Sequence, residues 1–235
     1  MGRGASTSRS APTELIVAME RFIGKLAMQE RILEAVDSLF YCDGIRAVGV
    51  DKITAKIGIS KRTLYNYFPS KDHLIAAYLT RRLIPISISE RPAAEQILES
   101  FDQLERSLAD DGLRGCPFVN AVVELKDPDH AASEIALAFK NQRGAWLLEL
   151  LGRLQIAHPE SLAMQVMLLI DGAIAAAIVR RDPTVARAAR EATRVLLAAA
   201  GVDFPDTSAN SKQAPKPRTD SGGSTRQSAT MRMFE

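Results

Sequence analysis

Apolar side chains recur at helical spacing along almost the whole middle of this 235-residue chain. That spacing places them on one face of an α-helix, whereas a half-buried strand alternates apolar and polar residues. Between residues 29 and 41, for example, Ile32, Val36 and Phe40 share one face. Alternating, strand-like runs are absent from the sequence. The pattern therefore predicts an all-α fold.

The two ends of the chain differ from this middle part in composition. Residues 1–12 are rich in Gly, Ser and Arg, and residues 204–235 are rich in Ser, Thr, Gln, Lys and Pro, so both are predicted to be disordered. Residues 13–27 carry an apolar stripe of Leu15, Met19, Phe22 and Leu26. Two alternatives stay open for them, an extra helix or an upstream extension, since Met19 and Met28 would each serve as a later start codon.

Glycine, serine and proline mark the ends of the predicted helices in the first third of the chain. Gly44 ends the first helix, and Gly58 makes a tight break between two short ones. Ser60 has the side chain to accept an N–H of the helix that follows. The predicted ranges are 29–41, 50–57 and 61–67, then a helix that Ser70 caps and Pro85 closes.

Longer helices follow Pro92, and prolines at first-turn positions punctuate them. Their predicted ranges are 93–108, 117–126, 130–156, 159–180 and 183–200. The last two helices carry Ala, Leu, Val and Ile on more than one face, which is more apolar surface than one subunit buries. A partner is therefore needed. The surplus faces are those of Leu162, Val166, Leu169, Ala173 and Ala177, and of Val185, Ala189, Val195 and Leu196.

The formal net charge is only +2, so a nucleic-acid or membrane partner would have to be met by a local patch. Charged residues interrupt every apolar stretch that approaches the length of a membrane span. The N-terminus lacks the core of a signal peptide, because Glu14 and Glu20 flank its only apolar run. We therefore expect a cytoplasmic protein with no membrane partner.

The two cysteines, Cys42 and Cys116, stand far apart and lack the spacing of a metal site or of a disulfide framework. We interpret both as small apolar filler in a protein of a reducing compartment. An alternative for Cys116 is a regulatory thiol. The following Pro117 places it at the start of a helix, where a thiolate would be favoured.

Residues with catalytic or metal-binding chemistry do not form clusters in this sequence. No nucleophile stands beside a base, and no glycine-rich phosphate loop occurs. His130 and His158 precede helix starts and are interpreted as caps or surface groups, because no His, Asp or Glu cluster with ligand spacing surrounds them. We therefore expect no enzyme activity, no cofactor and no metal.

The two short helices and the glycine between them have the spacing of a helix-turn-helix, whose second helix enters the major groove of DNA. On that helix Leu64 and Phe68 lie one turn apart and are expected in the core. The side chains left outside are those that read base edges and hold phosphates. They are Lys61, Arg62, Tyr65 and Asn66, with Thr63 and Tyr67 toward the flanks. The alternative interpretation is a solvated corner of a helical domain.

Residues 53–79 resemble the DNA-binding region of the tetracycline-repressor (TetR) family, with the sequence ITAKIGISKRTLYNYFPSKDHLIAAYL. The residues before them match the family's first helix and loop, with the sequence RILEAVDSLFYCDGIRAV. The combination of Thr63-Leu64-Tyr65, Tyr67-Phe68 and Ser70-Lys71 is highly specific for that family. The resemblance is strong from about residue 30 to residue 82, and beyond it only the helix count and the long apolar final pair match.

The resemblance implies roles for individual residues. Three side chains would approach base edges: Lys61, Arg62 and Tyr65. Three would hold phosphates: Thr63, Tyr67 and Lys71, the last from the start of the next helix. Two positions depart from the family's pattern. Gly49 stands where a Ser or Thr cap usually contacts phosphate, so that contact is not expected, and Thr54 stands where a small residue is common.

For the rest of the chain the resemblance implies a helical domain that binds a small-molecule effector and pairs its last two helices with those of a second subunit. The implied protein is a homodimeric repressor of a palindromic double-stranded operator, released by that effector. The expected domains are an N-terminal extension over 1–27, a DNA-binding domain over 28–84, an effector-binding and dimerisation domain over 92–201, and a tail over 202–235.

Candidate pocket residues are polar or aromatic groups amid the apolar helices. They are Phe101, Phe118, Asn120, Glu124, Phe139 and Trp146. Core packing explains each aromatic as well, and a solvated helix face explains Glu124. Two other functions stay open: a helical enzyme or cofactor-binding protein whose basic turn is incidental, and a transcriptional activator of the same fold.

Overall fold

The computed structural model describes residues 11–110 and 112–204, and that part of the chain is all-α, as the sequence predicts. Its helices are α1 Ala11–Asp43, α2 Val50–Ile57, α3 Lys61–Tyr67, α4 Lys71–Arg82, α5 Ala93–Leu108, α6 Pro117–Leu125, α7 Ala131–Arg153, α8 Pro159–Arg180 and α9 Val185–Ala199. The predicted bounds of α2, α3, α5 and α8 are confirmed. The predicted disorder of 1–12 and 204–235 falls almost entirely outside the described residues.

The chain divides into two compact units, Met1–Tyr78 and Leu79–Glu235, which we call the N-terminal and the C-terminal unit. In the N-terminal unit α1 packs on α2, and α2 packs on α3. The ring of Phe40 meets that of Tyr78 edge to face, with centroids 5.6 Å apart. The fully or nearly fully buried core of this unit includes Ile32, Val36, Phe40, Ile45, Val48, Ile53, Leu64, Leu74 and Tyr78.

The first helix begins at Ala11 rather than at residue 29. Residues 13–27 form the upstream part of this one continuous helix and not a separate helix. Gly24 does not interrupt it, since a single glycine costs a helix only about 1 kcal/mol relative to alanine. The predicted apolar stripe of this part is exposed, with Leu15 at 68% and Phe22 at 61%.

The C-terminal unit is a bundle in which α5 packs on α9 and α7, and α8 packs on α7 and α9, while α6 lies against α7. Its most deeply buried side chains include Ile97, Phe101, Leu104, Leu147, Leu150, Val166 and Leu197. At its surface the guanidinium of Arg187 on α9 pairs with Glu105 on α5, with nitrogen and oxygen 2.7 Å apart. Hydrogen bonding to that guanidinium lowers the pKa of Glu105.

Five helix ends of this unit differ from the prediction. α7 begins at Ala131 and α9 ends at Ala199, each one residue inside its predicted bound. α6 ends at Leu125, because Lys126 takes a left-handed conformation with φ of 55°. α7 ends at Arg153, and Gln155 then has φ of 56°. α9 begins only at Val185, since the Asp182 carboxylate accepts the N–H of Thr184 at 2.9 Å in a turn before the helix. Local turn geometry, rather than apolar spacing, sets these ends.

Helix α8 is a long apolar stretch that a single charged residue interrupts. Among the described residues it is a helix long and apolar enough to cross a membrane by length and composition alone. Asp171 is the one charged residue between Glu160 and Arg180. One face of α8 is apolar because it packs into the C-terminal unit, where Val166 is fully buried.

Gly58 and Gly49 provide a matched pair for testing the turn between α2 and α3. Gly58 has φ of 77° and Gly49 has φ of −83°, and a Cβ added at either would meet no atom within 4 Å. We expect Gly58→Ala to lower the free energy of unfolding by about 1–2 kcal/mol, because the left-handed region disfavours a Cβ. Gly49→Ser should raise it by a few tenths of a kcal/mol, since serine is a better N-cap.

Urea unfolding of the purified chain, followed by circular dichroism, measures both changes. A Gly58→Ala protein as stable as the unchanged chain would contradict the left-handed turn.

Candidate nucleic-acid interface

The turn that joins α2 to α3 occupies three residues, 58–60. The N–H of Gly58 donates to the carbonyl oxygen of Thr54 at 2.9 Å and so closes α2. Ser60 Oγ accepts the N–H of Thr63 at 3.0 Å, which satisfies a donor at the first turn of α3. The predicted glycine break and serine cap are both confirmed. Together they let α3 leave α2 in a new direction within one short turn.

Burial of one face fixes the orientation of α3. Leu64 is fully buried and Phe68, which follows the helix, is 8% exposed. They contribute to the core to which α2 contributes Ile53 and Ile57. A helix of seven residues is not stable in water by itself, so this anchorage holds it in place. The opposite side of α3 is consequently the side that solvent reaches.

The predicted DNA-contacting residues lie on that side and at the start of α4. Lys61, Arg62, Tyr65 and Asn66 are exposed, and Thr63, Tyr67 and Lys71 are half-buried. This exposure is what the sequence predicts. Their contact with DNA stays a prediction.

Lys61 forms an ion pair that sequence reasoning missed. Its Nζ lies 2.6 Å from a carboxylate oxygen of Asp51 at the start of α2, and both side chains are more than half exposed. The hydrogen bond to Asp51, and then its charge, raise the pKa of Lys61. The two residues are on different helices, so the spacing within either helix gives no signal of the pair. An exposed pair of this kind is weak.

Polar contacts from α1 hold α2 at both of its ends. The guanidinium of Arg31 donates to the carbonyl oxygen of Ile57 at 3.1 Å, and Lys56 donates to Ser38 Oγ at 3.0 Å. Lys52 pairs with Asp43 at 3.1 Å. Sequence reasoning also missed these contacts, although a cation at the last carbonyls of a helix is a recognised stabilising arrangement. They position α2, on which the turn and α3 depend.

The start of α4 adds a further cation. Ser70 Oγ accepts the N–H of His73 at 3.2 Å and shares a hydrogen bond of 2.8 Å with its Nδ1. Lys71 is the first residue of α4, and its Nζ lies 6.0 Å from the ring centroid of Phe40. This distance is at the outer limit of a cation–π contact. A positively charged side chain thus stands at a helix N-terminus, which itself attracts anions.

The candidate pocket residues of the C-terminal unit do not form one site. Phe101 and Trp146 are buried in the core. The rings of Phe118 and Phe139 stack at 4.0 Å, and Asn120 donates to the carbonyl oxygen of Arg114 at 2.7 Å. Glu124 is half-buried. Of these six, only Phe139 lines the cleft that lies between the start of α6, α7 and α8.

The structure contradicts two predictions about the cysteines and confirms the helix cap predicted for His130. Cys42 is exposed, so it is not core filler. Cys116 is buried, and burial raises the pKa of its thiol, which contradicts a favoured thiolate there. His130 caps α7, with Nδ1 accepting the N–H of Ala132 at 3.0 Å, whereas His158 precedes α8 and makes no side-chain cap bond.

Burial separates the expected dimer residues into two groups. The unit itself buries more than half of them: Leu162, Val166, Ala173, Ala177 and Ala189. Leu169, Val185 and Leu196 are half-buried, and Val195 is 60% exposed. The apolar side chains that α8 leaves exposed are different ones. They are Met164 at 62%, Leu168 at 63%, Ile178 at 41% and Val179 at 85%.

Comparisons with known proteins agree with this geometry. The family model of bacterial regulatory proteins of the tetR family matches residues 32–78. The HTH-type transcriptional regulator YjdC of Escherichia coli is 22% identical over 162 residues, 66% of this chain and 85% of that protein. The HTH-type transcriptional repressor BdcR of Escherichia coli is 25% identical over 138 residues, 56% of this chain and 68% of that protein.

A solved structure extends the likeness to the C-terminal unit. It belongs to a Streptomyces avermitilis protein described as a TetR transcriptional regulator, is 33% identical, and has a TM-score of 0.67. The match covers 74% of this chain and 98% of that one. Since the likeness spans both units and the family model covers the helix-turn-helix, the chain belongs to the TetR family of helix-turn-helix transcriptional regulators.

Proposed function

We propose that this regulator is a cytoplasmic repressor, which binds a palindromic operator as a homodimer and is released by a small-molecule effector. The exposed side of α3 carries the proposal. Two cations, a phenol and an amide lie there on a short helix that Leu64 anchors from behind. These groups match the donors and acceptors of base edges in the major groove. The name of the related BdcR, a transcriptional repressor, supports the direction of regulation.

In this proposal the residues divide into two kinds. Those at the exposed side of α3 read bases: Lys61, Arg62, Tyr65 and Asn66. Those at its flanks and at the start of α4 hold phosphates: Thr63, Tyr67 and Lys71. Phosphate contacts fix the position of the protein on the duplex and carry no sequence information, whereas base contacts do. The two kinds therefore respond differently to mutation and to salt.

Binding to the DNA upstream of the protein's own coding sequence tests this division. Lys71→Gln should weaken binding to all sequences and reduce the slope of log K against log salt by about 0.9, because one phosphate contact is lost. Tyr65→Ala combined with Lys71→Ala should weaken binding further. Fluorescence anisotropy over a range of salt concentrations measures both quantities.

Lys126→Gln is the matched control, since it removes one exposed cation outside the helix-turn-helix. Its salt slope should equal that of the unchanged protein. Binding that survives the double change at Tyr65 and Lys71 would show that these residues are not the site.

A second subunit is proposed to cover the exposed face of α8 and Val195 of α9. Met164, Leu168 and Val179 lie at spacings of four and eleven residues, which keeps them on one side of the helix. Exposed apolar surface of this kind typically marks an interface. Pairing two copies there would present two recognition helices to two half-sites, so the operator would be an inverted repeat.

Substitution of Leu168 by Glu tests the interface. Leu168→Glu should convert the dimer to a monomer, because association would desolvate a carboxylate in an apolar contact. Leu137→Glu on α7 is the control, since Leu137 is 61% exposed and lies outside the proposed interface. Light scattering coupled to size-exclusion chromatography measures the mass. A Leu168→Glu protein that stays dimeric at micromolar concentration contradicts the interface.

A reporter gene placed downstream of the bound DNA tests repression itself. Expression of the reporter should fall when the protein is supplied. A rise in expression would instead identify an activator.

A further inference from the structure

Asp51 and Lys61 stand at the starts of two consecutive helices and join these helices through their side chains. Asp51 is the second residue of α2, and Lys61 is the first residue of α3. The Lys61 Nζ lies 2.6 Å from a carboxylate oxygen of Asp51, and the side chains of Lys61 and Asp51 are 57% and 81% exposed. The pair is therefore open to solvent, and it involves a residue of the exposed side of α3.

This pair changes the charge that α3 offers to DNA. The helix carries two cations, Lys61 and Arg62, and no acidic residue of its own. The carboxylate of Asp51 offsets the charge of Lys61, so these three side chains together carry one net positive charge instead of two. The first turn of α2 is a favourable place for this carboxylate, because the start of a helix has a partial positive charge.

DNA of any sequence attracts a protein through its phosphates, whereas base edges contribute only at the correct sequence. For Lys61 to bind a phosphate, its ion pair with Asp51 has to break, and the carboxylate left behind then faces a group of like charge. At an operator, the base contacts of α3 offset this cost. Other duplexes lack those contacts, so the cost falls mainly on binding that is not specific.

We propose that Asp51 is a positioning residue that holds Lys61 away from the phosphates of random-sequence DNA and so raises the preference of the regulator for its operator. This inference rests on the proposed function of α3. Because the pair is exposed, the expected effect on affinity is small, about two- to fivefold.

Asp51→Asn tests the role of the carboxylate, because it removes the charge and keeps the size of the side chain. We expect the affinity for a random-sequence duplex to rise about two- to fivefold, and the slope of log K against log salt to steepen by about 0.9, which is one additional phosphate contact. The affinity for the DNA upstream of the coding sequence should change less. Fluorescence anisotropy over a range of salt concentrations measures both duplexes.

Lys61→Gln separates the release of the lysine from simple repulsion between Asp51 and phosphates. In this background Asp51→Asn has no cation to release, so the slope for the random-sequence duplex should not steepen. Asp51→Glu keeps the carboxylate and should retain the slope of the unchanged protein.

Glu149→Gln is the matched control, because it also removes one carboxylate from an exposed pair with a cation, Arg153, outside the helix-turn-helix. Its affinities and slopes should equal those of the unchanged protein. A slope that Asp51→Asn leaves unchanged, or one that steepens equally with and without Lys61, would overturn the role of Asp51.

The random-sequence duplex decides the role of Asp51 separately from the proposed function. A protein that binds the upstream DNA no more tightly than the random-sequence duplex contradicts the proposed function, and the slopes still decide whether Asp51 holds Lys61 away from phosphates. A protein that binds neither duplex overturns both.

Discussion

The burial of Leu64 behind α3 is the constraint on which the DNA-facing surface depends. A seven-residue helix has no stability of its own, so its direction comes from the core residues beneath it and from the turn before it. Gly58 supplies the left-handed turn, and Ser60 supplies the cap. Loss of this anchorage would remove the exposed set as a unit, since α3 carries all of those side chains.

Most of this unit is predictable from its sequence because its signals are local. A glycine in the left-handed region, a serine cap and two apolar residues one turn apart specify α2, the turn and α3 within about twenty residues. Contacts between helices are not local. The pairing of Lys61 with Asp51, and the bond from Arg31 to Ile57, depend on how α1, α2 and α3 pack, and no periodicity within one helix encodes them.

In the C-terminal unit, the spacing of apolar residues along a helix predicts less of the packing. Helix α8 is apolar on two sides, and its sequence alone does not tell which side enters the unit's own core. Val166 and Ala173 are buried, while Leu168 and Val179 are exposed, so the side expected to meet a second subunit is largely internal. The cleft between the start of α6, α7 and α8 was unpredictable for a related reason, because Cys116, Arg143 and Asp171 reach it from three separate parts of the chain.

The proposed function requires that the exposed side of α3 read the sequence of operator DNA. Selection of bound sequences from a random DNA pool, carried out in parallel with the unchanged protein and with Arg62→Ala, tests it most directly. If α3 reads the DNA, the unchanged protein should select an inverted repeat, and Arg62→Ala should select the same repeat with discrimination lost at one symmetric pair of positions. Enrichment of no sequence, or an identical preference in the two proteins, would contradict it.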